Sequence, residues 1–207
     1  MKINNYLHLL VTILLIIAYH SFQSSDGRIY YPPIIYGQNQ SSSFQAAVRA
    51  LDNIPDQKVK VGDIDVSFKQ LENNTDKPIV LINGHSTTKD MWSPTLLKEL
   101  SANRTVIIFD NRGVGESTVG TKEFSVNQFA IDILGLLDVL NITDADILGL
   151  SMGSFIAQEL ALKNPNRVNS LILYASSCGG EEAVPPSPQA LQAIDAFTNT
   201  SPPLKKE

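Results

Sequence analysis

The chain has 207 residues, of which 43% are hydrophobic and 18% charged, a composition that supports a packed core and excludes wholesale disorder. The formal net charge is -5, and no run of Lys or Arg interrupts this acidic balance, which argues against a nucleic-acid partner. The single cysteine, Cys178, excludes an internal disulfide framework and a cysteine-rich zinc site.

Residues 1–25 are predicted to be a signal peptide or an N-terminal membrane anchor. Lys2 supplies a positive start, and Tyr6–Tyr19 is a mostly apolar stretch without charge, shorter than the about 20 residues that a spanning helix needs. No clean small-x-small cleavage site follows the apolar stretch directly, so both alternatives stay open. We therefore expect an extracytoplasmic protein that is secreted or, if the segment is not cleaved, held at a membrane through this segment alone.

The next segment, residues 26–57, is predicted to be a linker. Pro32, Pro33 and the polar stretch 37–43 break any periodicity, although a short helix over 44–51 is compatible with the pattern.

Residues 58–184 are predicted to form the folded core. Gly62 and Asp63 lie between two runs of alternating apolar residues, a pattern typical of a β-hairpin. Beyond this hairpin, short apolar runs alternate with helix-like segments, which predicts an α/β fold with a mostly parallel sheet and helices on both faces. The predicted strands cover 78–83, 105–110, 145–150 and 168–175; the predicted helices cover 93–100, 125–140 with Ser125 as N-cap, and 152–163.

One sequence motif indicates a reactive serine. The sequence Gly149-Leu150-Ser151-Met152-Gly153 has the form Gly-x-Ser-x-Gly and falls where a predicted strand passes into a predicted helix. A serine on such a corner projects its hydroxyl beyond the carboxyl end of the sheet, and the two glycines let strand and helix approach closely. The amide of Met152 then lies at a helix N-terminus, which favours developing negative charge.

At this motif the chain resembles the α/β-hydrolase fold superfamily, in its serine-nucleophile branch of esterases, lactonases and proline iminopeptidase-like members, over most of residues 59–175. The resemblance implies that Ser151 is the nucleophile. The stretch 81–86, followed by Trp92, is similar to the oxyanion loop after the third strand, with Asn83-Gly84 where His-Gly is usual. By this resemblance the backbone amides of His85 and Met152 form the oxyanion hole.

A second loop agrees with the resemblance. Residues 110–117 are similar to the superfamily's Asp-x-Arg-Gly-x-Gly-x-Ser loop after the fourth strand, so we expect Asp110, Arg112 and Ser117 to brace the oxyanion loop. A dinucleotide-binding loop is excluded because Thr118 stands where that fingerprint needs glycine. His85 is interpreted as a loop residue and not as the catalytic base, since the superfamily places its histidine late in the chain.

No histidine follows Ser151, although the resemblance implies the order Ser, then Asp or Glu, then His. We therefore expect an incomplete hydrolase whose last two strands are absent, with residues 185–207, including a helix over 188–197, as the start of a lid. The apolar strand 168–175 would then be left with an unpaired edge.

The predicted function is hydrolysis of small-molecule carboxylic ester, lactone or amide bonds through an acyl-enzyme on Ser151, with no metal or organic cofactor implied. The alternative is a non-catalytic fragment or a binding module on a hydrolase scaffold.

Overall fold

The computed structural model describes residues 53–71 and 77–179, together with the short stretches or single residues 22–23, 29–30, 48, 51, 183–184 and 187–192. Two compact units are distinguished, one of residues 1–40 with 178–203 and the other of residues 41–177 with 204–207. In the first unit, the strands Phe22–Gln23 and Ile29–Tyr30 pair antiparallel, and residues 188–192 are helical. The second unit contains the predicted motifs.

The second unit is built on a six-stranded sheet. In chain order its strands are β1 (Gln57–Val61), β2 (Ile64–Leu71), β3 (Ile79–Ile82), β4 (Val106–Phe109), β5 (Ala145–Leu150) and β6 (Val168–Tyr174). The spatial order is β1-β2-β4-β3-β5-β6. β1 and β2 form the predicted hairpin, β2 pairs antiparallel with β4, and the other neighbours pair parallel. The carboxyl ends of all parallel strands therefore lie along the same side of the sheet.

Three helices connect these strands: α1 (Pro94–Ser101), α2 (Val126–Val139) and α3 (Met152–Lys163). Two 3-10 turns, Lys89–Met91 and Pro165–Arg167, precede α1 and β6. Ser125 caps α2 as predicted, because its hydroxyl oxygen accepts the amide of Gln128 at 3.1 Å.

The core lies on both faces of the sheet because neighbouring residues of a strand point to opposite sides. Val80 and Ile82 of β3 pack in a cluster with α2 and α3, whereas Ile79 and Leu81 pack in a second cluster with Leu97 of α1. The four side chains of β3 are at most 1% exposed. Burial on both faces explains why the sequence of this strand shows a continuous apolar run without alternation.

The predicted fold class is confirmed: a mostly parallel sheet is covered by helices on both faces. The helix over 152–163 and the strand over 145–150 have their predicted bounds, and the other elements of the core differ by one or two residues. Val48 and Leu51 are helical, but the rest of the predicted helix 44–51 lies outside the described residues, as do 193–197 of the predicted helix 188–197. The predicted leader 1–25, linker 26–57 and lid start 185–207 lie largely outside them too.

Strand β6 lies at the edge of the sheet and pairs with β5. Its last four residues, Leu171–Tyr174, are half-exposed, from 38% for Leu171 to 55% for Tyr174. The expected apolar edge is therefore present in the described part of the chain. No helix among the described residues combines the length and apolarity that crossing a bilayer requires.

Candidate active site

Ser151 occupies the corner between β5 and α3. Its backbone has φ 52° and ψ −118°, a left-handed conformation that is strained for a residue with a side chain. The surroundings hold this conformation, because the Ser151 amide donates to Tyr174 O at 3.0 Å and its carbonyl accepts from the amide and hydroxyl of Ser154 at 2.8 and 2.6 Å. The Ser151 residue is exposed.

Two glycines make this corner possible. A Cβ on Gly149 would lie 2.4 Å from Gly153 O, and a Cβ on Gly153 would lie 2.2 Å from Ile82 O. Any larger residue at either position would collide with backbone atoms, which cannot move aside as a flexible side chain can. The spacing of the Gly-x-Ser-x-Gly motif is therefore a consequence of how closely α3 approaches β5 and β3.

The segment after β3 passes beside Ser151. A Cβ on Gly84 would lie 3.4 Å from Ser151 Cβ, which is van der Waals contact, so the backbone of Gly84 directly adjoins Ser151. Asn83, which replaces the usual histidine, is 1% exposed and donates through Nδ2 to Phe109 O at 3.0 Å. His85 follows and is exposed. Among the described residues, neither the amide of His85 nor that of Met152 donates a hydrogen bond to a protein group.

Asp110 is the centre of a buried polar cluster behind this segment. It is 1% exposed, and its carboxylate accepts the amide and the ammonium group of Lys89 at 2.8 and 2.9 Å and the amide of Glu116 at 3.0 Å. Burial raises the pKa of the Asp110 carboxyl, while Lys89 and the two amides oppose that rise. Burial by itself would lower the pKa of Lys89, but the charge and hydrogen bond of Asp110, together with Asp56 and Asp90, outweigh it and raise that pKa.

Ser117 connects the same loop to β2. Its hydroxyl donates to Asp110 O at 2.7 Å and accepts the Ser67 amide at 2.9 Å. Gly115 has φ 54°, and a Cβ there would lie 2.3 Å from Asp110 Oδ2, so the loop can close around the carboxylate only with glycine at this position.

Arg112 lies in a second buried network. Its guanidinium is bidentate to Asp132, with Nε and Nη2 at 2.9 and 2.7 Å from the two carboxylate oxygens, and it also donates to both oxygens of Asp63 at 3.1 and 2.9 Å. The hydrogen bond from Arg112 lowers the pKa of Asp63 far below its usual value, with help from the amides of Thr121 and Lys122. For Arg112 itself, burial would lower the pKa, but the hydrogen bonds to Asp132 and Asp63 outweigh burial and raise it.

A model of the alpha/beta hydrolase fold matches residues 77–203, more than half of the chain. The chain belongs to the alpha/beta hydrolase fold family.

Individual relatives agree with this assignment. BpoC of Mycobacterium tuberculosis, whose name refers to a non-heme bromoperoxidase, is 37% identical over 106 residues, which are 51% of this chain and 40% of that protein. The 3-oxoadipate enol-lactonase 2 of Acinetobacter baylyi is 32% identical over 99 residues, 48% of this chain and 37% of the enzyme. A solved alpha/beta hydrolase fold protein from Chitinophaga pinensis superposes with a TM-score of 0.59 at 32% identity, covering 63% of this chain and 47% of that one. The matches thus cover less than half of each relative. By family, the protein is an enzyme.

In this hydrolase-fold chain the structure brings Ser151, Gly84 and the amide of Met152 to one edge of the sheet, and it places Asp110, Arg112 and Ser117 behind them in the protein interior. No His, Asp or Glu among the described residues is hydrogen-bonded to Ser151. Glu181 and Glu182, the first carboxylates after β6, lie outside that part of the chain.

Sequence reasoning missed Lys89, which is 2% exposed. Nothing in its local pattern marks it, because a lysine in a polar loop is ordinarily solvated.

Proposed function

We propose that the protein hydrolyses carboxylic ester, lactone or amide bonds of small molecules through an acyl-enzyme on Ser151. The observation that carries the proposal is the backbone of Ser151, held at φ 52° on an exposed strand-to-helix corner. Strain of this kind persists only where the surrounding structure fixes it, and it is concentrated at functional sites. The name of the enol-lactonase relative supports a lactone or ester as substrate.

The proposed chemistry begins with attack of Ser151 Oγ on the substrate carbonyl carbon, while the hydroxyl proton passes to a general base. The carbonyl oxygen becomes an oxyanion, which the amides of His85 and Met152 stabilise by hydrogen bonds, aided by the N-terminal dipole of α3. Collapse of the tetrahedral intermediate expels the alcohol or amine with a proton, and water then releases the acyl group as a carboxylic acid.

The described part of the chain does not identify the general base, since no side chain there accepts a hydrogen bond from the Ser151 hydroxyl. A serine hydroxyl is a weak nucleophile without a base. The competing proposal, a non-catalytic fragment or binding module, rests on this observation, and labelling of Ser151 separates the two.

The test uses a fluorophosphonate probe on the 207-residue chain, with mass spectrometry to locate the adduct. We expect labelling at Ser151 and none after Ser151→Ala. Ser93→Ala is the matched control, because Ser93 is exposed and its side chain makes no capping hydrogen bond. A folded chain that does not label, or one that labels equally after Ser151→Ala, would contradict the proposal. Release of p-nitrophenol from short-chain esters and opening of simple lactones then distinguish the substrates.

We also propose an extracytoplasmic location, either secreted or anchored through residues 1–25. The support is the charge-free apolar stretch after Lys2. N-terminal sequencing of the mature protein from its native cells distinguishes cleavage from retention, and recovery of the intact chain in the cytoplasm contradicts both.

A further inference from the structure

The segment between β3 and α1 contains a buried lysine for which the proposed mechanism has no chemical use. The Lys89 ammonium group lies 2.9 Å from Asp110 Oδ2 and 3.0 Å from Asp56 Oδ1, and the Lys89 amide donates to Asp110 Oδ1 at 2.8 Å. The side chain of Lys89 is 2% exposed, whereas that of Asp56 is 49% exposed. A buried ammonium group is costly unless it is paired and hydrogen-bonded, so this site needs Asp110 above all.

Asp110 joins Lys89 to the loop after β4. The same carboxylate accepts the amide of Glu116, and the Asp110 carbonyl accepts the hydroxyl of Ser117, which in turn accepts the amide of Ser67 in β2. One carboxylate thus ties the far end of the segment to a loop that is itself attached to the sheet.

The near end of the segment is attached independently. Asn83 donates to Phe109 O and accepts from Asn111 Nδ2 at 3.3 Å, while Thr87 Oγ1 donates to Gly84 O at 3.1 Å. The amide of His85 therefore lies between two attachment points, Asn83 before it and Lys89 after it. Loss of the second point leaves the segment around His85 held less firmly, because the tie from Lys89 to the loop after β4 is gone.

We infer that Lys89 is a positioning residue that acts through Asp110 to hold the His85 amide in its direction beside Ser151. The inference rests on the oxyanion role proposed above for that amide. Catalytic groups work only within about 0.5 Å of their productive position, and a displacement of about 1 Å lowers the rate by about 10²-fold. Asp56 balances charge at the rim and contributes less, because it is half-exposed.

Trp92 makes the position of the segment measurable without any enzymatic activity. It is the single tryptophan of the chain, follows the 3-10 turn Lys89–Met91 directly, and is 8% exposed. Its fluorescence therefore reports on this segment and on its packing against the sheet and Leu97 of α1, and the variant Lys98→Met on α1 controls for changes in that helix. Loosening of residues 84–91 shifts its emission to longer wavelength and increases quenching by acrylamide.

The experiment compares the unmodified 207-residue chain with Lys89→Met and Asp110→Asn, and with two controls, Asp56→Asn and Lys98→Met on α1. We expect red-shifted, more readily quenched Trp92 emission in the first two variants, at a temperature where circular dichroism shows them folded, a much smaller change in Asp56→Asn and none in Lys98→Met. The rate constant for fluorophosphonate labelling of Ser151 should fall by about tenfold or more in the first two and stay within about twofold in the controls.

Each outcome decides the inference. Unchanged Trp92 emission in folded Lys89→Met, or an equal effect of Asp56→Asn, overturns it. If the unmodified chain does not label, the proposed function fails, and the Trp92 result alone decides whether Lys89 positions the segment. If both variants fail to fold, hydrogen exchange of the unmodified chain decides: the amides of Lys89 and Glu116 should exchange as slowly as those of β3, and rapid exchange overturns the inference.

Discussion

Gly153 packs directly on the backbone of Ile82, so closely that a Cβ on the glycine would lie 2.2 Å from the Ile82 carbonyl oxygen. The first turn of α3 thus contacts the end of β3, from which the segment beside Ser151 departs. This contact between two backbones fixes the distance between the two loops that the proposed oxyanion hole requires.

Gly153→Ala is therefore expected to destabilise the fold strongly, by about 3 kcal/mol or more, because the new methyl group must push two backbones apart. Gly62→Ala is the matched control. Gly62 has the opposite requirement: its φ is 56°, but the nearest neighbour of an added Cβ would be the end of the Lys122 side chain at 3.9 Å, so we expect a loss of only about 1–2 kcal/mol from the backbone conformation. Urea denaturation measures both, and equal losses would contradict the steric argument.

Because Arg112 is buried between two carboxylates, we expect the stability of the fold to depend on both the charge and the shape of its guanidinium group. Arg112→Met leaves Asp63 and Asp132 facing each other without a cation, which should cost about 3–5 kcal/mol of unfolding free energy. Arg112→Lys keeps the charge but loses the bidentate geometry, so we expect an intermediate loss. Thermal denaturation compares them with Arg104→Lys, a partly exposed arginine paired with Asp146. Full stability of Arg112→Lys would show that the guanidinium fork is dispensable.

Asp63 predicts how stability changes in acid. The pKa of Asp63 in the folded protein is lowered from 3.8, mainly by the hydrogen bond from Arg112. The folded state therefore binds the Asp63 proton less tightly than the unfolded state does. The resulting stabilisation is fully present above the unfolded pKa and is lost as the pH falls below about 4 toward the folded value.

Urea denaturation between about pH 6 and pH 3 measures this loss, and Asp63→Asn should be less stable near neutrality and show a shallower decline in acid. Asp90→Asn, at a carboxylate that is 60% exposed, is the control. The same acid slope in Asp63→Asn and the unmodified chain would contradict the assignment.

The edge strand β6 predicts the solution behaviour of the chain. Ile172 and Tyr174 are 46% and 55% exposed and point to the same face of an edge with no strand partner among the described residues, a combination that favours aggregation. Replacing both with lysine should reduce aggregation and binding of hydrophobic dyes without lowering the melting temperature. Leu162→Lys, at a residue 80% exposed on α3, should change neither. A monomeric unmodified chain that binds no dye would contradict the prediction.

Local pattern was sufficient for most elements of the core. The run over β3 is apolar at every position because both faces of the sheet are covered. The Gly-x-Ser-x-Gly motif predicts the strand-to-helix corner because the close backbone contacts that require its glycines arise within five consecutive residues. The sequence therefore determined the fold class, the family resemblance and the position of Ser151 in the chain.

Only the tertiary structure decided which distant polar groups meet. Arg112 pairs with Asp63 and Asp132, which lie on separate parts of the chain. Lys89 is buried because its ammonium group pairs with the Asp110 carboxylate. Nothing in the residues around Lys89 distinguishes it from a solvated lysine. The physical reason is that periodicity reports on burial along one element, whereas the partner of a buried charge depends on how separate elements approach in space.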